Sequence, residues 1–163
     1  MQILIGFSSA KKWHILTAIV RLVEGTPFSH VYVRVIDGEK DFVCNIAPDE
    51  ERSVPYNDFL RANRIEREFP LPYAADRLEE IMRKLEPSSQ MYNFYKIFAI
   101  GWGRLIRNPK AKSVSFLWNR RGGIICTEYA ADILTAAGYQ IDVDLMAIGP
   151  KGIFNKLGSL FSK

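Results

Sequence analysis

Cys126 and His30 are the two side chains best suited to covalent chemistry, and they stand far apart in the sequence. Cys126 follows Gly122-Gly123-Ile124-Ile125 and leads into Thr127-Glu128-Tyr129-Ala130-Ala131-Asp132-Ile133-Leu134, a strongly helical stretch. A thiol there falls in the first turn of a helix, where unpaired backbone N–H groups and the macrodipole favour an anion. That setting is expected to lower the thiol pKa and supply thiolate, the nucleophilic form. His30 lies in Phe28-Ser29-His30-Val31-Tyr32-Val33, and its imidazole is a suitable proton acceptor for such a thiol.

The elements that must position this pair begin with a hairpin. Phe28 to Ile36 is rich in β-branched residues, Asp37-Gly38 is a turn signal, and Asp41 to Ala47 is the expected return strand. Alternation puts His30, Tyr32 and Arg34 on one face and Val31, Val33 and Val35 on the other. With Asp37-Gly38 as a two-residue turn, His30 faces Asn45. A loop two residues longer pairs Tyr32 with Asn45 instead, still on the His30 face. In both registers Cys44 points away and the Asn45 amide can accept a hydrogen bond from one ring nitrogen, fixing the tautomer. The spacing therefore suggests a Cys126–His30–Asn45 arrangement.

Elsewhere, Ile3 to Phe7 suggests a short buried strand. Trp13 to Val23 suggests a helix with Leu16, Ile19, Val20 and Val23 on one side and His14 and Arg21 on the other. Leu78, Ile81, Met82 and Leu85 mark an amphipathic helix over about Ala74 to Glu86, with Glu79–Arg83 and Glu80–Lys84 paired on its wet side. Met91 to Ile106 is apolar nearly all round and predicts a buried helix. Gly138 should end the Cys126 helix, Ile141 to Ile148 suggests a strand, and Gly152 to Phe161 a short terminal helix. Strands and helices are partly segregated, so the expected class is α+β, with a small antiparallel sheet packed against helices.

The 163 residues suffice for one domain, residues 1–163, with a core of its own. A hydrophobic share of 48% argues against a disordered chain. The formal net charge of +4 is compatible with anionic partners and diagnostic of none. Two cysteines make no disulfide framework, and no C-x-x-C or H-x-x-x-H spacing suggests a metal, so no cofactor is expected. The first residues lack a basic n-region, and Lys11 and Lys12 interrupt before a signal-like apolar run forms. A cytoplasmic protein with reduced thiols is the default expectation. Any target outside the cytoplasm would need another export route, as for a phage-encoded or virion-associated protein.

Three segments in this order carry a resemblance: Ser29-His30-Val31 on an early strand, Tyr92-Asn93-Phe94 opening a buried helix, and Cys126-Thr127-Glu128 entering another. Together they resemble the circularly permuted branch of the NlpC-type papain-like cysteine hydrolases, which places histidine before cysteine. The resemblance covers most of the chain, from Ile3 through Gly149-Pro150. It implies a permuted papain-like fold, Cys126 as nucleophile, His30 as general base and a polar third residue on the following strand, the place Asn45 occupies. Relatives of this kind cleave peptidoglycan peptides or act on lipid acyl bonds, which makes a peptide or a lipid the implied substrate.

Tyr32, Tyr92 and Trp118 are candidate substrate contacts; Tyr92 and Tyr95 could line the cleft, with core packing as their favoured role. Glu128, two positions past the thiol, projects around the helix away from it and suggests a capping carboxylate. Arg104, Arg107, Lys110, Lys112, Arg120 and Arg121 form a basic run with Phe116 and Trp118 inside it. Solvation is its default role, and contact with an anionic membrane or cell wall its functional alternative. No nucleic-acid module is recognisable. Gly6-Phe7-Ser8-Ser9-Ala10 lacks the final glycine of a serine nucleophile elbow.

Overall fold

The computed structural model describes residues 1–12, 15–46, 53–85, 125–141 and 149–161. These form β1 (Gln2–Ala10), α1 (Ile15–Glu24), β2 (His30–Asp37), β3 (Lys40–Cys44), β4 (Ser53–Pro55), α2 (Tyr56–Ala62) and β5 (Asn63–Pro70). A 3-10 turn (Ala75–Arg77) then leads into α3 (Leu78–Leu85), followed by α4 (Cys126–Ala136) and α5 (Pro150–Phe161). The class is mixed α+β, as expected. The five strands form one sheet in the order β4-β3-β2-β1-β5, every pair antiparallel.

Alternation divides the sheet into two packed faces. Ile3, Ile5 and Phe7 of β1 and Val31, Val33 and Val35 of β2 share the main core. Against them lie Ile81 and Leu85 of α3, Ala130, Ile133 and Leu134 of α4, and Ile153 and Leu157 of α5. On the other face Tyr32 and Val43 pack with Phe59 of α2, and Ile65 lies against them. Gly6 serves this second face by close approach: a Cβ there would run into the ring of Tyr32, its cross-strand partner.

The β2–β3 hairpin closes one residue later than its sequence suggests. Asp37 pairs with Lys40, so the two-residue loop is Gly38-Glu39, with Gly38 at φ 58° in the left-handed region. Glycine takes the strained place, and the register follows from it. The ladder ends at Val33↔Cys44. Cys44 and Ile46 both join the main core, so Asn45 between them turns toward the Tyr32 side. That agrees with the Tyr32–Asn45 register, reached through a tight loop rather than a longer one.

Strand β5 and helix α2 were not legible as elements. β5 completes the sheet beside β1, with a bulge between Phe7 and Ser8. The terminal helix docks on the domain itself: Phe154 packs against Phe7, Phe28 and Phe69. Its start is held by Glu24 at the end of α1, whose Oε2 accepts the Lys151 N–H at 3.1 Å. The expected helix at Met91–Ile106, the basic loop and the Ile141–Ile148 strand, past Ile141, lie outside the described residues, as does His14.

Candidate active site

Helix α4 begins as its sequence requires. Ile125 is extended, with φ −111° and ψ 162°, and its N–H donates to Glu128 Oε2 at 3.0 Å. Isoleucine has no acceptor to return, so the carboxylate alone caps this end. Glu128 has the capping role its position predicts. Cys126, Thr127, Tyr129 and Ala130 are buried, and the helix packs across β2.

The Cys126 sulfur lies against the start of β2, hydrogen-bonded by backbone of Val31 and by that of Thr127 and Cys126 itself. Val31 is the residue next to His30, so the thiol and the imidazole converge on one end of one strand. They reach it from different sides. Alternation starts the His30 side chain on the Tyr32 face, whereas α4 covers the Val31 face.

The expected low thiol pKa is corrected by the structure. Burial pushes the Cys126 thiol up, the three backbone contacts pull it down without cancelling that effect, and the Glu128 charge adds to the rise. Desolvation outweighs the helix terminus because Cys126 is only 5% exposed. At neutral pH the resting group is a thiol.

His30 is displaced in the complementary direction. Burial lowers its pKa from 6.5 to about 4. Nε2 is enclosed and has no hydrogen-bond partner among the described residues, although the residue as a whole is only half-buried. The imidazole is therefore neutral at pH 7, the form a general base requires. Resting thiol and imidazole are both uncharged.

Asn45 is buried just beyond β3 and is engaged in an interaction of its own. Its turn toward the Tyr32 side keeps it on the face where His30 starts. Tyr32, expected to contact substrate, is instead fully buried. Its hydroxyl donates to Glu68 Oε1 at 2.7 Å, and its ring packs on Phe59. Arg34 completes this network, bridging Asp41 at 2.7 Å and Glu68 at 3.0 Å with its guanidinium over the Tyr56 ring. The network ties β2, β3 and β5 together, which assigns Tyr32 to structure. Tyr92 and Trp118 lie outside the described residues. Cys44 is a core thiol whose pKa burial raises, against hydrogen bonds with Ser53 and Tyr129.

Two polar groups at the site escaped the sequence. Ser8 stands directly opposite His30 in the β1–β2 ladder, and its buried Oγ has no partner among the described residues. Thr127 Oγ1, on the residue after Cys126, is likewise buried and unpartnered there. Only the pairing of β1 with β2 discloses Ser8, and a single sequence does not supply that pairing. Comparison of the chain with protein-family models, curated proteins and solved structures gives no match.

Proposed function

We propose that the protein is a papain-like cysteine hydrolase that cleaves an amide or ester bond through an acyl-enzyme, with a cell-wall peptide as its substrate class. The observation that carries this reading is the position of the Cys126 sulfur, at a helix N-terminus and against the backbone of Val31, the residue that follows a neutral His30 in the chain. The order of the histidine and cysteine segments supports the same family resemblance, and the permuted papain-like fold belongs to this proposal.

Because the resting pair is uncharged, catalysis uses His30 as a base rather than a preformed ion pair. Either charge alone is costly in so dry a site, and the two formed together offset one another. As substrate binds, His30 takes the Sγ proton. The thiolate attacks the carbonyl carbon and forms the S–C bond. The imidazolium then protonates the leaving nitrogen or oxygen as its bond to carbon breaks, and water, deprotonated by the same ring, hydrolyses the thioester. The N–H groups that open α4 supply donors for the developing oxyanion. Cys126→Ala and His30→Ala should each abolish turnover of a peptidoglycan stem peptide while leaving the melting transition in place. Unchanged hydrolysis in Cys126→Ala refutes the reading, and activity confined to an acylated lipid moves the substrate class to lipid.

A second reading, a non-catalytic module that binds an anionic membrane, draws on one surface. On α1, Ile15 is 59% and Leu22 84% exposed, and Lys11, Lys12 and Arg21 line the adjoining groove. Salt-sensitive co-sedimentation with phosphatidylglycerol vesicles, lost in Leu22→Glu, together with an inert Cys126, would favour it.

A further inference from the structure

We infer that Ser8 is the residue that positions the His30 imidazole, by accepting a hydrogen bond from Nε2–H and leaving Nδ1 as the basic nitrogen. This deepens the hydrolase reading, and its catalytic part rests on that reading.

Ser8 and His30 form one rung of the β1–β2 ladder. Side chains on a shared rung rise from the same face with their Cβ atoms about 5 Å apart. Each carries a buried polar atom, Ser8 Oγ and His30 Nε2, with no partner among the described residues. The bond between them is not made in this structure, so a rotamer change must bring the two atoms together; leaving both unmade costs more than making one. On its other flank Ser8 pairs with Ile65, which offers no polar side chain. The next serine, Ser9, already donates to Glu66 Oε1 at 3.2 Å. Gly6, two residues back along the same face, has its space filled by the Tyr32 ring. His30 is thus the polar group that the ladder offers to Ser8.

The direction of the bond decides the chemistry. A hydroxyl can donate or accept. When Oγ accepts from Nε2–H, the ring is held as the Nε2–H tautomer, and the Nδ1 lone pair is available to take the Cys126 proton. When Oγ donates to Nε2, the proton sits on Nδ1 and neither nitrogen is free to act as the base. A working base therefore requires the first arrangement.

The test is long-range 15N–1H correlation spectroscopy on 15N-histidine-labelled protein at pH 7, with the His30 signals assigned from the His30→Gln variant. The wild type should show the Nε2–H tautomer. Ser8→Ala should give a tautomer mixture and slow alkylation of Cys126 by iodoacetamide about tenfold or more. Ser8→Thr, which restores the hydroxyl, should recover both. An Nδ1–H tautomer in the wild type overturns the inference without any variant, as does a Ser8→Ala protein with an unchanged tautomer. A wild type with the Nε2–H tautomer and a Ser8-dependent shift, but no turnover of any acyl substrate, retains the Ser8–His30 contact and refutes the hydrolase.

Discussion

Replacing His30 by glutamine should flatten the acid side of the stability profile. Folding holds the His30 pKa near 4, against 6.5 for the free side chain. Below pH 6.5 the unfolded chain takes up a proton that the folded chain refuses until about pH 4. Stability from this group is therefore full above pH 6.5 and drains away as the pH falls toward 4. The 2.5-unit gap is worth at most about 3.4 kcal/mol, and about 2 kcal/mol of that is lost between pH 7.5 and pH 5. Both are ceilings, because part of the residue reaches the surface while Nε2 is enclosed. Urea unfolding at the two pH values measures the effect. With a slope of roughly 2 kcal/mol per molar, the wild-type midpoint should fall about 1 M further than that of His30→Gln. Every other ionisable group is common to the two proteins, so its contribution cancels in the comparison. Equal midpoint shifts would show that the imidazole is hydrated in the folded state, and would remove the physical basis for an enclosed neutral base.

Alkylation of Cys126 should be slow at pH 7 and still rising above the ordinary thiol range, because burial raises its pKa; a plateau reached by pH 6 would contradict this. Gly6→Ala should destabilise the domain by about 1–3 kcal/mol in denaturant unfolding, since the new methyl must displace the Tyr32 ring from the second core. Glu128→Ala should cost about 1 kcal/mol in the same assay by leaving the Ile125 N–H uncapped, and a neutral result would mean that another group takes the carboxylate's place.

What the sequence disclosed follows the strength of its local signals. The β2–β3 hairpin and the Cys126 helix have strong periodicity and clear punctuation, so their existence was legible even where their ends moved by a few residues. β5 was hidden. Asn63-Arg64-Ile65-Glu66-Arg67-Glu68-Phe69 is crowded with charge, and the bulge opposite Phe7 and Ser8 breaks its period. Ile65 joins the Tyr32 cluster while Phe69, four residues on, joins the main core. Alternation alone would have placed both on one face. At the site, Cys126 and His30 were recognisable as chemical types, whereas their protonation was not. The helix terminus that favours thiolate is local, but the burial that overrides it comes from β2, distant in sequence. Tyr32 looked like a cleft residue because its hydroxyl could not be matched in advance with Glu68, a partner contributed by the unseen strand.

The order of the elements has a consequence for synthesis on the ribosome. His30 leaves the ribosome well ahead of Cys126, and α4 must dock on β2 before the sulfur reaches the Val31 backbone. A nascent or truncated product ending before α4 leaves the Val31 end of β2 without the helix that covers it. Until that docking Cys126 is an ordinary accessible thiol, so the folding of α4 onto β2 is the step that shields the sulfur from oxidants and electrophiles.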